Sequence, residues 1–174
     1  MSSRMSSPLR RAVIVTTLGS SLVLSAVPAA QAALGGSPMT PPDGSTVTTR
    51  VMHATSSAAS ASTASSTAAA AYSVRETTLA SGTVVREYLS QAGTVFGIAW
   101  NGPQMPDLNS LLGTYFPQYV DGLTAVRTAR GGHGPASVQS DNLVVQSGGH
   151  MGAFAGNAWL PQALPAGVSS SDIQ

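Results

Sequence analysis

Ser147-Gly-Gly-His150 is the stretch with the most chemistry in reach, and it is echoed by Gly131-Gly-His133. Glycines let backbone approach a ligand closely, and a histidine beside them can serve as a base or a metal ligand. Ser147, His150 and Asp141 supply the three residue types of a nucleophilic triad, and His133, His150 and Asp141 the types of a metal site. The plainer reading is two glycine turns that contain histidine, because a strand-turn-strand setting already accounts for the glycines. His150, Ser147 and Asp141 therefore stand as weak catalytic candidates.

The other routes to catalysis are closed or poorly supplied. There is no cysteine, no Gly-x-Ser-x-Gly elbow and no His pair at the spacing of a His-Glu-x-x-His helix. His53, the third histidine, lies in a Ser/Thr/Ala-rich stretch. Gly35-Gly36 and Gly148-Gly149 lack the spacing and the lysine of a phosphate loop. No cofactor and no metal is expected. Glu76 and Glu87 are a pair of acids, but the strand pairing below gives each an arginine, which favours ordinary ionised carboxylates.

The elements that must position these residues begin well inside the chain. Residues 1–32 read as an export signal: Arg4, Arg10 and Arg11, an apolar stretch from Ala12 to Val27, then Ala30-Gln31-Ala32 as a small-x-small cleavage site. An uncleaved anchor would need about 20 apolar residues, and Thr16, Thr17, Ser20, Ser21 and Ser25 dilute this run. No cysteine follows for a lipoprotein linkage, so a product without stable membrane insertion, in the periplasm or outside the cell, is expected. Three of the eight arginines fall in this leader, and five against seven acids leaves residues 33–174 at a net charge of −2. Such a chain has no electrostatic footprint for nucleic acid.

Residues 33–71 are rich in Ser, Thr, Ala and Pro, and Ala54 to Ala71 contains no charge, aromatic or large aliphatic residue. The composition predicts a disordered tether, with an O-glycosylated stalk as its functional alternative.

Residues 72–174 are expected to form a single domain. Tyr72–Leu79, Thr83–Ser90 and Thr94–Trp100 are β-rich runs separated by Ala80-Ser81-Gly82 and Gln91-Ala92-Gly93, three-residue loops ending in glycine. That loop length sets Glu76 opposite Arg86 and Arg75 opposite Glu87, whereas a two-residue loop would oppose Glu76 to Glu87. Carried into the third strand, the register places Tyr72, Val74, Val84, Tyr88, Phe96, Ile98 and Trp100 on one face as the core, with Glu76 and Arg86 at its rim.

Asp107 is placed to cap a helix carrying Leu108, Leu111, Leu112, Tyr115 and Phe116, and the spacing continues through Tyr119, Val120, Leu123 and Val126. Pro117 predicts a kink or two short helices. Strands follow at about 142–147 and 153–160, and the tail from Pro161 is expected over the surface or frayed. The fold class is α+β: a small antiparallel sheet, a three-stranded meander plus a C-terminal hairpin, with the helices packed on the aromatic face.

The chain resembles a family of small exported bacterial proteins, domain-of-unknown-function family 2844. The likeness is carried by Leu34-Gly35-Gly36, Gly82-Thr83-Val84-Val85-Arg86-Glu87-Tyr88, Phe96-Gly-Ile-Ala-Trp100, Gly102-Pro103, Pro106-Asp107-Leu108, Leu111-Leu112-Gly113, Ser147-Gly148-Gly149-His150-Met151, Leu164-Pro165-Ala166-Gly167-Val168 and Asp172-Ile173. It implies no activity and no catalytic residue. The expectation is a non-enzymatic exported accessory or binding protein of the cell envelope, its partner an envelope protein or glycan; the alternative is a small hydrolase or metal-dependent enzyme using the Ser147/His150 turn.

Overall fold

Two loops of three residues build the heart of the molecule. Gly82 and Gly93 both take left-handed φ angles, +83° and +79°, and their N–H groups close back onto the carbonyls of Leu79 and Ser90 at 2.9 Å. The computed structural model describes residues 34–53, 71–131 and 134–174. The leader, residues 54–70 of the expected tether and His133 lie outside the described residues.

The strands are β1 (Thr46–His53), β2 (Ala71–Thr78), β3 (Val84–Leu89), β4 (Val95–Gly102), β5 (Ala136–Gln139), β6 (Val144–His150) and β7 (Ala153–Trp159). All seven join one antiparallel sheet in the order β1-β2-β3-β4-β7-β6-β5. The expected meander is β2-β3-β4 and the expected hairpin β6-β7; pairing of β4 with β7 fuses them, and β1 and β5 extend the sheet at either side. The fold is thus mostly sheet, with more strands than the sequence reading supplies.

The charge argument for the register holds: Glu76 pairs with Arg86 and Arg75 with Glu87. The single-face core does not. At the junction of Tyr88 and Leu89 the pairing with β4 slips by one residue, Tyr88 facing Gly97 but Leu89 facing Val95. Phe96 is the extra residue of this bulge. Because side chains alternate with period two, a one-residue slip reverses the face of everything beyond it. Phe96 stays with Tyr72 and Tyr88, while Ile98 and Trp100 turn to the other side and join Val85 and Leu89.

The helices cover that other side, not the aromatic one. α1 (Leu108–Leu112) is capped by Asp107, which accepts from the Asn109 N–H at 3.0 Å. A 3-10 turn at Gly113–Tyr115 leads into α2 (Phe116–Arg130), with Pro117 in its first turn, where its missing N–H costs nothing. Leu111, Leu112 and Tyr119 meet Ile98, Trp100, Val138 and Val145 in the larger core. Trp100 depends on glycine: a Cβ on Gly156 would stand 2.3 Å from its ring.

The expected tether is also corrected at its described ends. Leu34 is buried, its N–H donating to Leu111 O at 3.0 Å, and Gly35 and Gly36 exchange backbone bonds with Val95. Thr46–His53 is a strand although every residue in it is exposed. Its order comes from the backbone ladder to β2, which composition does not report.

The tail covers the aromatic face. Val168 and Ile173 are buried against Tyr72, Tyr88, Phe96 and Ala99, and Ile173 occupies the space over Gly97 that a Cβ would fill, 2.7 Å away. The Tyr88 hydroxyl accepts from the Gln174 N–H at 3.0 Å and donates to its carbonyl at 2.8 Å.

Candidate functional site: a polar groove across the sheet

The catalytic candidates do not assemble. Ser147 points to the helical side, its Oγ 3.3 Å from the Tyr119 hydroxyl. His150 ends β6 at the exposed tip of the β6-β7 hairpin, with Nδ1 3.0 Å from Met151 O. Asp141 lies in the turn before β6, where its backbone carbonyl accepts from Gln162. Asp141 and His150 thus bracket one extended strand, separated by roughly 20 Å or more at about 3.3 Å per residue. Among the described residues no three His, Asp or Glu side chains are grouped to hold a metal ion. His53 ends β1, exposed and paired with Ala71.

The feature that is assembled lies on the tail side of the sheet, beyond the reach of the tail. There a groove of about 790 Å³ crosses β3, β4, β7, β6 and β5. Its floor follows from the register. Arg86 faces Ala99, Ala99 faces Asn157, Asn157 faces Gln146 and Gln146 faces Ser137, one row of side chains from β3 to β5. The next row is Val84, Asn101, Ala155 and Gly148. Ala99 lies beneath the tail; small residues at Ala155 and Gly148 leave the depression, and amides furnish it.

The tail forms one wall. Arg86 donates from Nε to Glu76 Oε2 at 2.9 Å and from Nη1 to the Gln174 carbonyl at 3.3 Å. Arg50 also reaches Glu76 Oε2, at 3.3 Å, so two guanidinium groups share one carboxylate. Asn157 spends its Nδ2 on the Ile173 carbonyl at 2.9 Å, and its buried Oδ1 has no hydrogen-bond partner. A desolvated amide oxygen left unpaired costs on the order of 1–3 kcal/mol. Arg130, at the end of α2, and Pro135 border the groove on the far side.

A separate polar site is buried on the helical face. Glu87 has no exposed surface; Oε1 accepts from the Met39 N–H at 2.6 Å, and Oε2 is 3.8 Å from Arg75. Burial raises its pKa above the usual carboxylate value, against the opposing pulls of the Met39 N–H and Arg75. This carboxylate fastens the segment after Leu34 to the sheet. Sequence reasoning treats it as an ordinary ion pair because Met39 falls in the stretch read as tether.

Fold and site define a protein built on one antiparallel sheet, with helices closing one face and a polar groove left on the other. The chain belongs to the family described as Protein of unknown function (DUF2844), whose model matches residues 30–173. No curated protein and no solved structure matches it. No helix among the described residues is long and apolar enough to cross a membrane.

Proposed function

We propose that this is a non-enzymatic exported accessory protein of the bacterial cell envelope, working in the periplasm or outside the cell, and that it acts by binding an envelope component in the groove across β3–β5. The observation that carries the reading is the division of one sheet face. Its aromatic half is closed by the tail, whereas its half of arginine, amide and hydroxyl side chains is open and held on strands. Side chains mounted on strands are suited to recognition because their positions are set before the ligand arrives. The leader accounts for export.

Ala155 is exposed on the groove floor, so Ala155→Trp fills the groove without touching the core. Immobilised wild-type protein is expected to retain material from a native envelope extract that the Ala155→Trp protein does not. Equal retention by both, or none by the wild type, overturns the reading.

A further inference from the structure

We propose that the groove takes an acidic polysaccharide, a hydroxyl-rich sugar chain bearing carboxylates, laid across the strands; the inference rests on the groove being the binding surface. Four observations combine. First, the described lining holds two arginines, Arg86 and Arg130, and no Asp or Glu. Glu76 is shared by Arg86 and Arg50 and Asp172 lines the adjoining hollow with both arginines, so the charges at that end balance and Arg130 leaves the groove a net positive charge, although residues 33–174 sum to −2. The positive charge is local to this surface.

Second, the two arginines stand at opposite ends. The row from β3 to β5 crosses four inter-strand spacings, about 19 Å at about 4.8 Å each, with Asn101, Asn157, Gln146 and Ser137 between them. A linear ligand with repeated negative charge meets both ends at once; a small anion meets one.

Third, the interior offers donors as well as acceptors. Asn157 Oδ1 is buried and its Nδ2 is held by Ile173, so Asn157 fixes the floor and the polar contacts fall to the neighbouring amides and Ser137. Asn101 and Gln146 each offer both donor and acceptor. Sugar hydroxyls supply both functions, and carboxylates on the sugar supply the charge that guanidinium binds in fork geometry.

Fourth, the direction and lining disfavour the rivals. A peptide adding to a sheet runs along a strand edge and bonds through its backbone, whereas this groove runs across the strands, and β3, β4, β7 and β6 each have a neighbour on both sides. A neutral glycan is commonly held by stacking on an aromatic face, and Trp100, the aromatic residue of the lining, is only 2% exposed.

The test is calorimetric titration of the purified protein with short polygalacturonate chains, with the same chains fully methyl-esterified, and with a neutral Gly/Ser peptide. The acidic chain is expected to bind, to weaken as salt rises, and to bind about tenfold or more better than its ester. Arg130→Gln, an exposed helix-end change, should weaken the acidic chain about tenfold, and Ala155→Trp should abolish binding, with circular dichroism and melting unchanged. Equal binding of the ester, preference for the peptide, or no binding of the acidic chain each overturns the choice of ligand. Loss of envelope retention in Ala155→Trp would still uphold the groove in those cases, so the two readings fail separately.

Discussion

The two halves of the tail-side sheet face obey opposite rules. Over β2, β3 and the start of β4, Tyr72, Tyr88 and Phe96 lie with ring centroids 6.0–6.3 Å apart, and the chain folds its own end over them. Over β7, β6 and β5 the same face carries Asn157, Gln146, Ser137 and Ala155, and stays open. Large apolar rings left in water forfeit about 1.5–3 kcal/mol each, which drives the tail onto them. Amides forfeit little in water, so nothing recruits a cover. The chain therefore supplies a lid for stability and leaves a vacancy where polar contacts can be made by something else.

Substitutions in the covered half should cost stability. Ile173→Ala is expected to have the largest effect, about 3 kcal/mol in denaturant unfolding, since it removes a fully buried side chain from the seat over Gly97. A loss below about 1 kcal/mol would mean that the tail is not part of the cooperative fold.

On the helical face, Glu87→Ala should cost about 2 kcal/mol by leaving the Met39 N–H without its acceptor. The Glu87 carboxyl has a raised pKa in the folded state, so the folded state holds its proton more tightly than the unfolded one. Its contribution is fully present below the ordinary carboxylate pKa and is lost as pH rises through the raised value. Melting temperatures across a pH series should therefore fall less with rising pH in Glu87→Gln than in the wild type. Parallel profiles would contradict the burial.

Tyr88→Phe comes next, at about 1 kcal/mol, because it removes the hydroxyl bonded to both backbone groups of Gln174 and keeps the ring. The smallest stability effect belongs to the open half: Ala155→Trp should change stability by no more than about 0.5 kcal/mol while ending ligand binding. If it destabilises as strongly as Ile173→Ala, the two halves are not different in kind.

Legibility in the sequence followed the range of the interactions. The meander register was readable because Arg75, Glu76, Arg86 and Glu87 are joined by one short loop, and Asp107 was readable as a cap because its partner is two residues away. The bulge at Phe96 was not, since the run Thr94–Trp100 is apolar on both faces and Gly97 within it suits a plain strand as well as an insertion, and the face assigned to Ile98 and Trp100 went with it. β1 was hidden because Thr46–His53 buries nothing. The groove was hidden for a different reason. Arg86, Asn157, Gln146 and Ser137 come from four strands, and their alignment depends on the pairing of β4 with β7, a long-range contact that no local pattern announces. The Ser147/His150 turn drew attention through residue type alone, and the register sends those two side chains to different places.

The most direct test of the groove is a titration of isotope-labelled protein with short polygalacturonate chains, followed by backbone and side-chain amide NMR shifts. The expected perturbations cluster at Asn101, Gln146, Asn157 and Ser137 and leave the hairpin tip at His150 unchanged. Shifts confined to that tip or to β1, or absent throughout, would contradict the account.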